Sequence, residues 1–374
     1  RATSPSPPTR RRSNMRTGLD GERGPVVALA EKLEDQRNNI KDFKGNTLNM
    51  SAVPNLFEGN TDGIALALEG VGAFPTNRIC DGQIAARLKI PKPYWDRMSQ
   101  HSPELLAHNI NHWFASEPED RMFRTLYGTG RAFLSQRYRS LDNFDLAEAV
   151  LPPMIEAGCE VKSCEITESR MYIKAITYER TADIKQGDTI AAGIMVSNSE
   201  VGHGSLFAGL FTERLICKNG MVHNDWGQRK YHVGAKQSTD LNNAWQLFSD
   251  DTKSLSDRAF WAQVSDTVRG VLSQDGFDRV VESMREAADQ PINTDPIKVV
   301  ERTQKRFKLN DNEKGGILQH LLQGGEMSKW GLANAVTRTA EEASEYDRAT
   351  EMEALGWSIV ELPQREWSSL TAQA

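Results

Sequence analysis

The chain lacks the features that would assign a chemistry at sight. No apolar run approaches the roughly 20 residues that cross a bilayer, and the basic, proline-containing N-terminus has no hydrophobic stretch behind it, so neither a membrane span nor a signal sequence is expected. Only four cysteines occur, Cys80, Cys159, Cys164 and Cys217, with no CxxC pair among them. That excludes a zinc ribbon or a disulfide framework and leaves reduced thiols and a cytoplasmic location as the expectation. Internal repeats and long low-complexity tracts are missing as well. The one glycine-dense loop, Gly202-His-Gly-Ser, is neither a nucleophile elbow nor a phosphate-binding or dinucleotide fingerprint.

What is there is a globular chain of 374 residues, 39% hydrophobic, with material for one large core or two ordinary ones. Its net charge of -6 argues against a globally basic nucleic-acid binder. The charge is segregated, however. Residues 121 to 139 hold five arginines and no acid, whereas 341 to 353 hold six acids and one arginine.

Hydrophobic periodicity and turn residues predict an α+β fold: a β-hairpin-rich core with packed helices, then a helical C-terminal region. Residues 1–24, rich in Arg, Pro and Ser, read as a disordered basic tail. The α+β core is expected over 25–236, a helical extension over 237–290 and a C-terminal helical region over 297–362, with Pro291 and Pro296 marking the linker. Helices are predicted at Val26 to Asn39, Asp81 to Leu88, Pro103 to Phe114 and Asn143 to Glu156, the last kinked or ended by Pro152-Pro153. Hairpins are predicted at Met122 to Ser140 around Gly128-Thr-Gly130, at Glu160 to Tyr178 and at Thr189 to Cys217. From Leu241 onward the pattern is helical, including a run from Lys329 to Glu345.

Two cationic sets interleaved with aromatics are the candidate functional residues. Period-two alternation places Arg131, Phe133, Arg137 and Arg139 on one face of the first hairpin, with Tyr138 on the other and Arg121 and Arg124 on the preceding strand. Guanidinium groups neutralise phosphates and rings stack on bases, which is the composition of a groove tracking a single strand. The second set is Arg214, Lys218, Arg229, Lys230 and Lys236 with Trp226 and Tyr231. His203, Cys217, His223, Asp225 and His232 are the residue types zinc prefers, but their spacing fits no standard template, so packing and turn histidines are the better reading. The glycines of the 202–204 loop are expected to take positive φ, with Asn198 and Ser199 supplying local hydrogen bonds. Asn219-Gly220 reads as a turn. Helices near Gly316 and Lys329 have a helix-turn-helix outline whose second helix turns too acidic for a major groove.

The runs Arg137-Tyr-Arg-Ser-Leu-Asp-Asn, Gly193-Ile-Met-Val-Ser-Asn-Ser-Glu-Val-Gly, Cys217-Lys-Asn-Gly-Met, His232-Val-Gly and Trp330-Gly-Leu-Ala-Asn-Ala-Val-Thr-Arg-Thr-Ala resemble phage/plasmid-like proteins grouped under a bacterial domain of unknown function. The likeness runs from about residue 50 to 362. It implies an accessory gene of a mobile element and assigns no catalytic residue. Hairpins followed by helices are similar, at fold level, to Rad-type single-strand annealing proteins. The expectation is a single-stranded DNA-binding, strand-annealing homo-oligomer that needs no cofactor and touches no membrane. The alternatives are a metal-assisted enzyme acting on nucleic acid or nucleotides, and a protein that binds host factors through its acidic helical end.

Overall fold

The computed structural model describes residues 25–56, 63–138, 141–230 and 250–372, and of 225–230 the backbone alone. The expectations for the tail at 1–24, for the helix at Leu241 to Phe248, and for Arg139, Tyr231, His232 and Lys236 lie outside the described residues, as do the side chains of Asp225, Trp226, Arg229 and Lys230. The fold is α+β: antiparallel sheets fill the first part of the chain and helices the rest.

The first unit opens with helix α1 (Pro25–Asn39) and strand β1 (Ile40–Asn46). A small sheet of β2 (Met50–Pro54), β3 (Ile64–Leu68) and β4 (Gly72–Pro75) follows, then helices α2 (Arg78–Arg87), α3 (Lys92–His101) and α4 (Pro103–Ser116). The predicted hairpin is present as β5 (Asp120–Leu126) and β6 (Thr129–Ser135), with β1 added on the β5 side. Its two-residue turn has positive φ at both Tyr127 and Gly128, the mirror-image geometry that matches strand twist. Helix α3 was not legible because Pro91 and Pro93 read as a boundary; instead Pro93 occupies the first turn, where its missing N–H is not needed. Trp95, Leu66, Ile84, Ile110, Phe123 and Phe133 form one apolar core here.

Helix α5 (Asn143–Glu156) runs through Pro152 and Pro153 without ending. Its N-cap residue, Asp142, makes no side-chain cap hydrogen bond, since its carboxylate accepts from Arg124 Nη1 at 2.9 Å. The chain then builds a five-stranded meander, β7 (Glu160–Ile166), β8 (Met171–Lys185), β9 (Asp188–Asn198), β10 (Leu206–Arg214) and β11 (Gly220–Lys230), ordered β11-β10-β9-β8-β7. In β8, Ile173 and Ala175 join the core under α1 and α5, while Tyr172 and Ile176 join the opposite face. A sheet covered on both faces reads as continuous apolar runs rather than clean alternation.

The helical region comprises α6 (Asp250–Val271), α7 (Gln274–Ala288), α8 (Pro296–Phe307), α9 (Asp311–Gly324), α10 (Lys329–Thr339), α11 (Tyr346–Val360) and α12 (Gln364–Leu370). The helix predicted from Lys329 to Glu345 stops at Thr339, and α11 is a separate element. Val280, Met284, Val299, Trp330, Leu332 and Trp357 share one core with Ile190, Ala192, Leu210 and Met221 of the sheet. The helices therefore pack onto the meander, and the acidic end is not set apart from the basic middle. Helix α10 is buried almost throughout, which leaves no face for a DNA groove. Among the described residues no helix is long and apolar enough to cross a membrane.

Helix α11 is fixed to the sheet by Lys174 on β8, which is paired with Glu353 and lies 3.3 Å from Thr350 Oγ1, all three buried. Burial works against the charge on Lys174, yet the adjacent Glu353 carboxylate and Tyr346 hold its pKa above the ordinary lysine value. Breaking a buried pair from one side strands the other charge. Lys174→Ala is expected to destabilise the chain by about 3–5 kcal/mol in urea unfolding, and Lys174→Met with Glu353→Leu to recover most of that loss. Equal destabilisation by the single and double variants would contradict this account of the pair.

Candidate functional site

The first cationic set is not a solvent-facing groove, and its reading from alternation is corrected here. Arg124 is 1% exposed. Its Nε and Nη2 each donate to Asp42 at 2.7 Å, in addition to the bond to Asp142. Arg131 is 7% exposed and donates to Glu200 Oε2 at 3.2 Å, while Glu200 Oε1 accepts from the Asn143 backbone N–H at 2.7 Å. Burial pulls the Arg131 pKa down and the Glu200 pKa up, each opposed by the partner's charge. Arg121 pairs with Glu119 at 2.7 Å and stands over the Phe133 ring. Phe133 is buried and stacks on Phe114, and Tyr138 is buried with its hydroxyl donating to the Ser199 carbonyl at 3.3 Å. Among the described residues of the set only Arg137, past the end of β6, is exposed. Alternation failed because β6 is covered on both sides, and a guanidinium taken from water requires carboxylates around it.

The second set divides. Arg214 donates to Asp188 through Nη2 at 2.9 Å, and Lys218 is exposed in the β10–β11 turn with φ of +56°. At the other end of the same strand pair, backbone register puts Arg229 opposite Phe207 and Lys230 opposite Leu206. Of the zinc-type residues His203, Cys217 and His223 have described side chains, and no group of three ligating side chains converges among the described residues. His223 is wholly buried against Trp357. His108 and His112, exposed one turn apart on α4, were passed over in the sequence and have no third ligand beside them among the described residues.

The residues that do converge lie where the sheet face emerges from under α11. Register aligns Tyr172, Ser197 and Phe207 across β8, β9 and β10. With Met195 and Val222 they floor a pocket of about 380 Å³, whose rim carries Ser169, Arg170, His203, Ser205, Asn224, Asp347, Thr350 and Glu351. Tyr172 is buried, and burial together with nearby Asp347 raises its phenol pKa. Asp347 accepts from Thr167 Oγ1 at 3.1 Å and from the Ser169 hydroxyl. Arg170 closes the other side, donating to the carbonyls of His203 at 2.9 Å and Ser205 at 2.8 Å and to Ser197 Oγ at 3.0 Å.

The 198–205 loop is built as its residues predict. Gly202 and Gly204 have φ of +76° and +113°, and a Cβ on Gly204 would collide with the Arg170 guanidinium. Ser199 Oγ donates to the Ser169 carbonyl and accepts from the His203 N–H, while Asn198 Nδ2 donates to the Leu141 carbonyl. Burial lowers the His203 pKa, favouring the neutral imidazole. Arg170 and Asp347 were missed because no motif surrounds them; they meet only through the β7–β8 turn and α11.

A wider depression of about 510 Å³ is lined by Glu313, Glu342, Glu345 and Arg348, and its excess of carboxylates repels a polyanion. The acidic stretch is otherwise engaged: Glu353 with Lys174, Glu351 with Arg348 and Glu342 with His320.

His223 has a checkable consequence. Desolvation pushes its pKa down to about 3, against roughly 6.5 in an unfolded chain. As pH falls below about 6.5 the unfolded state takes up a proton that the folded state refuses, so stability is lost on acidification. Between pH 6.5 and 5 the native chain is expected to lose roughly 2 kcal/mol more than His223→Phe in urea unfolding; identical pH dependence would contradict the buried neutral ring. Compared with protein-family models, with curated proteins and with solved structures, the chain has no match in any of the three.

Proposed function

We propose that the chain binds single-stranded DNA across the emergent end of the five-stranded sheet, with one unstacked base seated over Tyr172 and Phe207. The reading rests on one observation above all. A pocket with an aromatic floor and a hydrogen-bonding rim lies at the strand ends where register brings Arg229 and Lys230. Rings offer a face to any base, the rim hydroxyls and Asp347 match base edges, and Arg229 and Lys230 would neutralise the phosphates that carboxylates repel.

Bases flanking the seated one keep their pairing edges free, which is what an annealing protein requires. The resemblance to phage/plasmid-like proteins and the fold-level analogy to annealing proteins point the same way, as does assembly into a homo-oligomer that repeats the site along a strand. A second reading, an enzyme acting on a nucleotide, draws on His203 and Asp347 lining the same pocket, an imidazole and a carboxylate suited to proton transfer.

The test is a fluorescence-anisotropy titration with an oligonucleotide over a series of salt concentrations. Arg229→Ala with Lys230→Ala is expected to weaken binding at least tenfold and to reduce the salt slope by about 1.4, at about 0.7 per single-strand phosphate contact. The exposed pair Lys305→Ala, on α8, with Lys308→Ala, at its C-cap, serves as the control and is expected to change neither. An unaltered slope in the first variant would sink the assigned surface. Turnover of the oligonucleotide or of a nucleotide by the purified chain would favour the enzymatic reading.

A further inference from the structure

A second cavity, of about 180 Å³, lies at the opposite end of β10 and β11 where their turn meets α9 and α10. Arg214, Cys217 and Asn219 line it from the turn, His320 from α9, and Asn334 and Arg338 from α10. We propose that this cavity binds a small protonated oxyanion, inorganic phosphate.

The charge balance is the first ground. Arg214 is neutralised by Asp188, Glu326 by Lys185, and His320 faces Glu342. Arg338 is half-buried, and its Nη1 reaches only Cys217 Sγ, at 3.7 Å, while Arg214 Nη1 approaches the same sulfur at 3.8 Å. Among the described residues no carboxylate pairs with Arg338. One guanidinium of the lining is thus left without a counter-charge, and planar guanidinium groups match oxyanions.

The second ground is independent of charge. Asn219 is 3% exposed, and its Oδ1 has no hydrogen-bond partner. The amide cannot be turned round to relieve this. Asn334 Nδ2 is committed to the Trp330 carbonyl, so Asn334 Oδ1 faces Asn219 and accepts from its Nδ2 at 3.1 Å. Thr337 donates to the Asn334 carbonyl, so its oxygen accepts the other Nδ2 proton, at 2.6 Å. Asn219 Oδ1 is therefore a fixed acceptor.

His320 leaves a second buried polar atom without a partner. Its side chain is 9% exposed, Nε2 donates to Glu342 at 2.7 Å, and Nδ1 has no partner. A buried acceptor left unsatisfied is unfavourable. An occupant that answers both grounds has anionic oxygens for Arg338 and at least one O–H for Asn219. Phosphate at neutral pH has both; sulfate has only the first.

Cys217 reports on occupancy. In the full-length chain, the rate of iodoacetamide alkylation at Cys217, read by peptide mass spectrometry, is expected to fall at least fivefold with inorganic phosphate. Sulfate at equal ionic strength is expected to need at least a tenfold higher concentration for half-maximal protection, with alkylation of Cys159 as the internal reference. Arg338→Gln, whose folding is checked by its melting temperature, is expected to abolish the protection. A nucleoside 5′-monophosphate, whose second pKa of about 6 leaves its phosphate mostly without an O–H at neutral pH, is run in parallel and is expected to protect no better than sulfate. Equal protection by sulfate and phosphate, no protection in the native chain, or full protection in a folded Arg338→Gln would each overturn the proposal.

Discussion

The buried ion pair between Lys174 on β8 and Glu353 on α11 is the contact on which the rest of the arrangement turns. It carries the acidic stretch onto the middle of the sheet, brings Tyr346 against Tyr172 and sets Asp347 beside the β7–β8 turn. Because α11 covers only part of that face, the strand ends beyond it remain open as a pocket. A weaker attachment of α11 would leave aromatic residues exposed along the whole face; a longer cover would close the site.

The same rule, that a charge removed from water needs an opposite charge in fixed geometry, explains the hairpin. Arg124 and Arg131 lie among Asp42, Asp142 and Glu200, which come from three separate segments of the chain. These contacts tie β1, β6, α5 and the 198–205 loop together. The arginines are structural connectors, and the loop that they help to hold presents His203 and Ser205 to the pocket.

Local features were legible where local physics decides them. The hairpin itself, the positive φ at Gly202 and Gly204, and most helix and strand positions follow from neighbouring residues, although the turn falls at Tyr127-Gly128 rather than at Gly128-Thr-Gly130. What was not legible depends on distant partners. Nothing near Arg131 in sequence signals Glu200, 69 positions away, and nothing near Asp347 signals Ser169. Asn219-Gly220 was read as a turn, but the turn lies at 215–218 and Gly220 opens β11, while the bonds of Asn219 go to Asn334 and Thr337 of α10. A cationic stripe read by alternation assumes one wet face, and both faces of β6 are covered.

The most direct test of where a strand lies is photo-crosslinking of an iodouracil oligonucleotide, followed by peptide mapping. Attachment at Tyr172 or Phe207 is the result expected for a base seated over those rings. Attachment confined to the hairpin at 121–139 would contradict the location of the site.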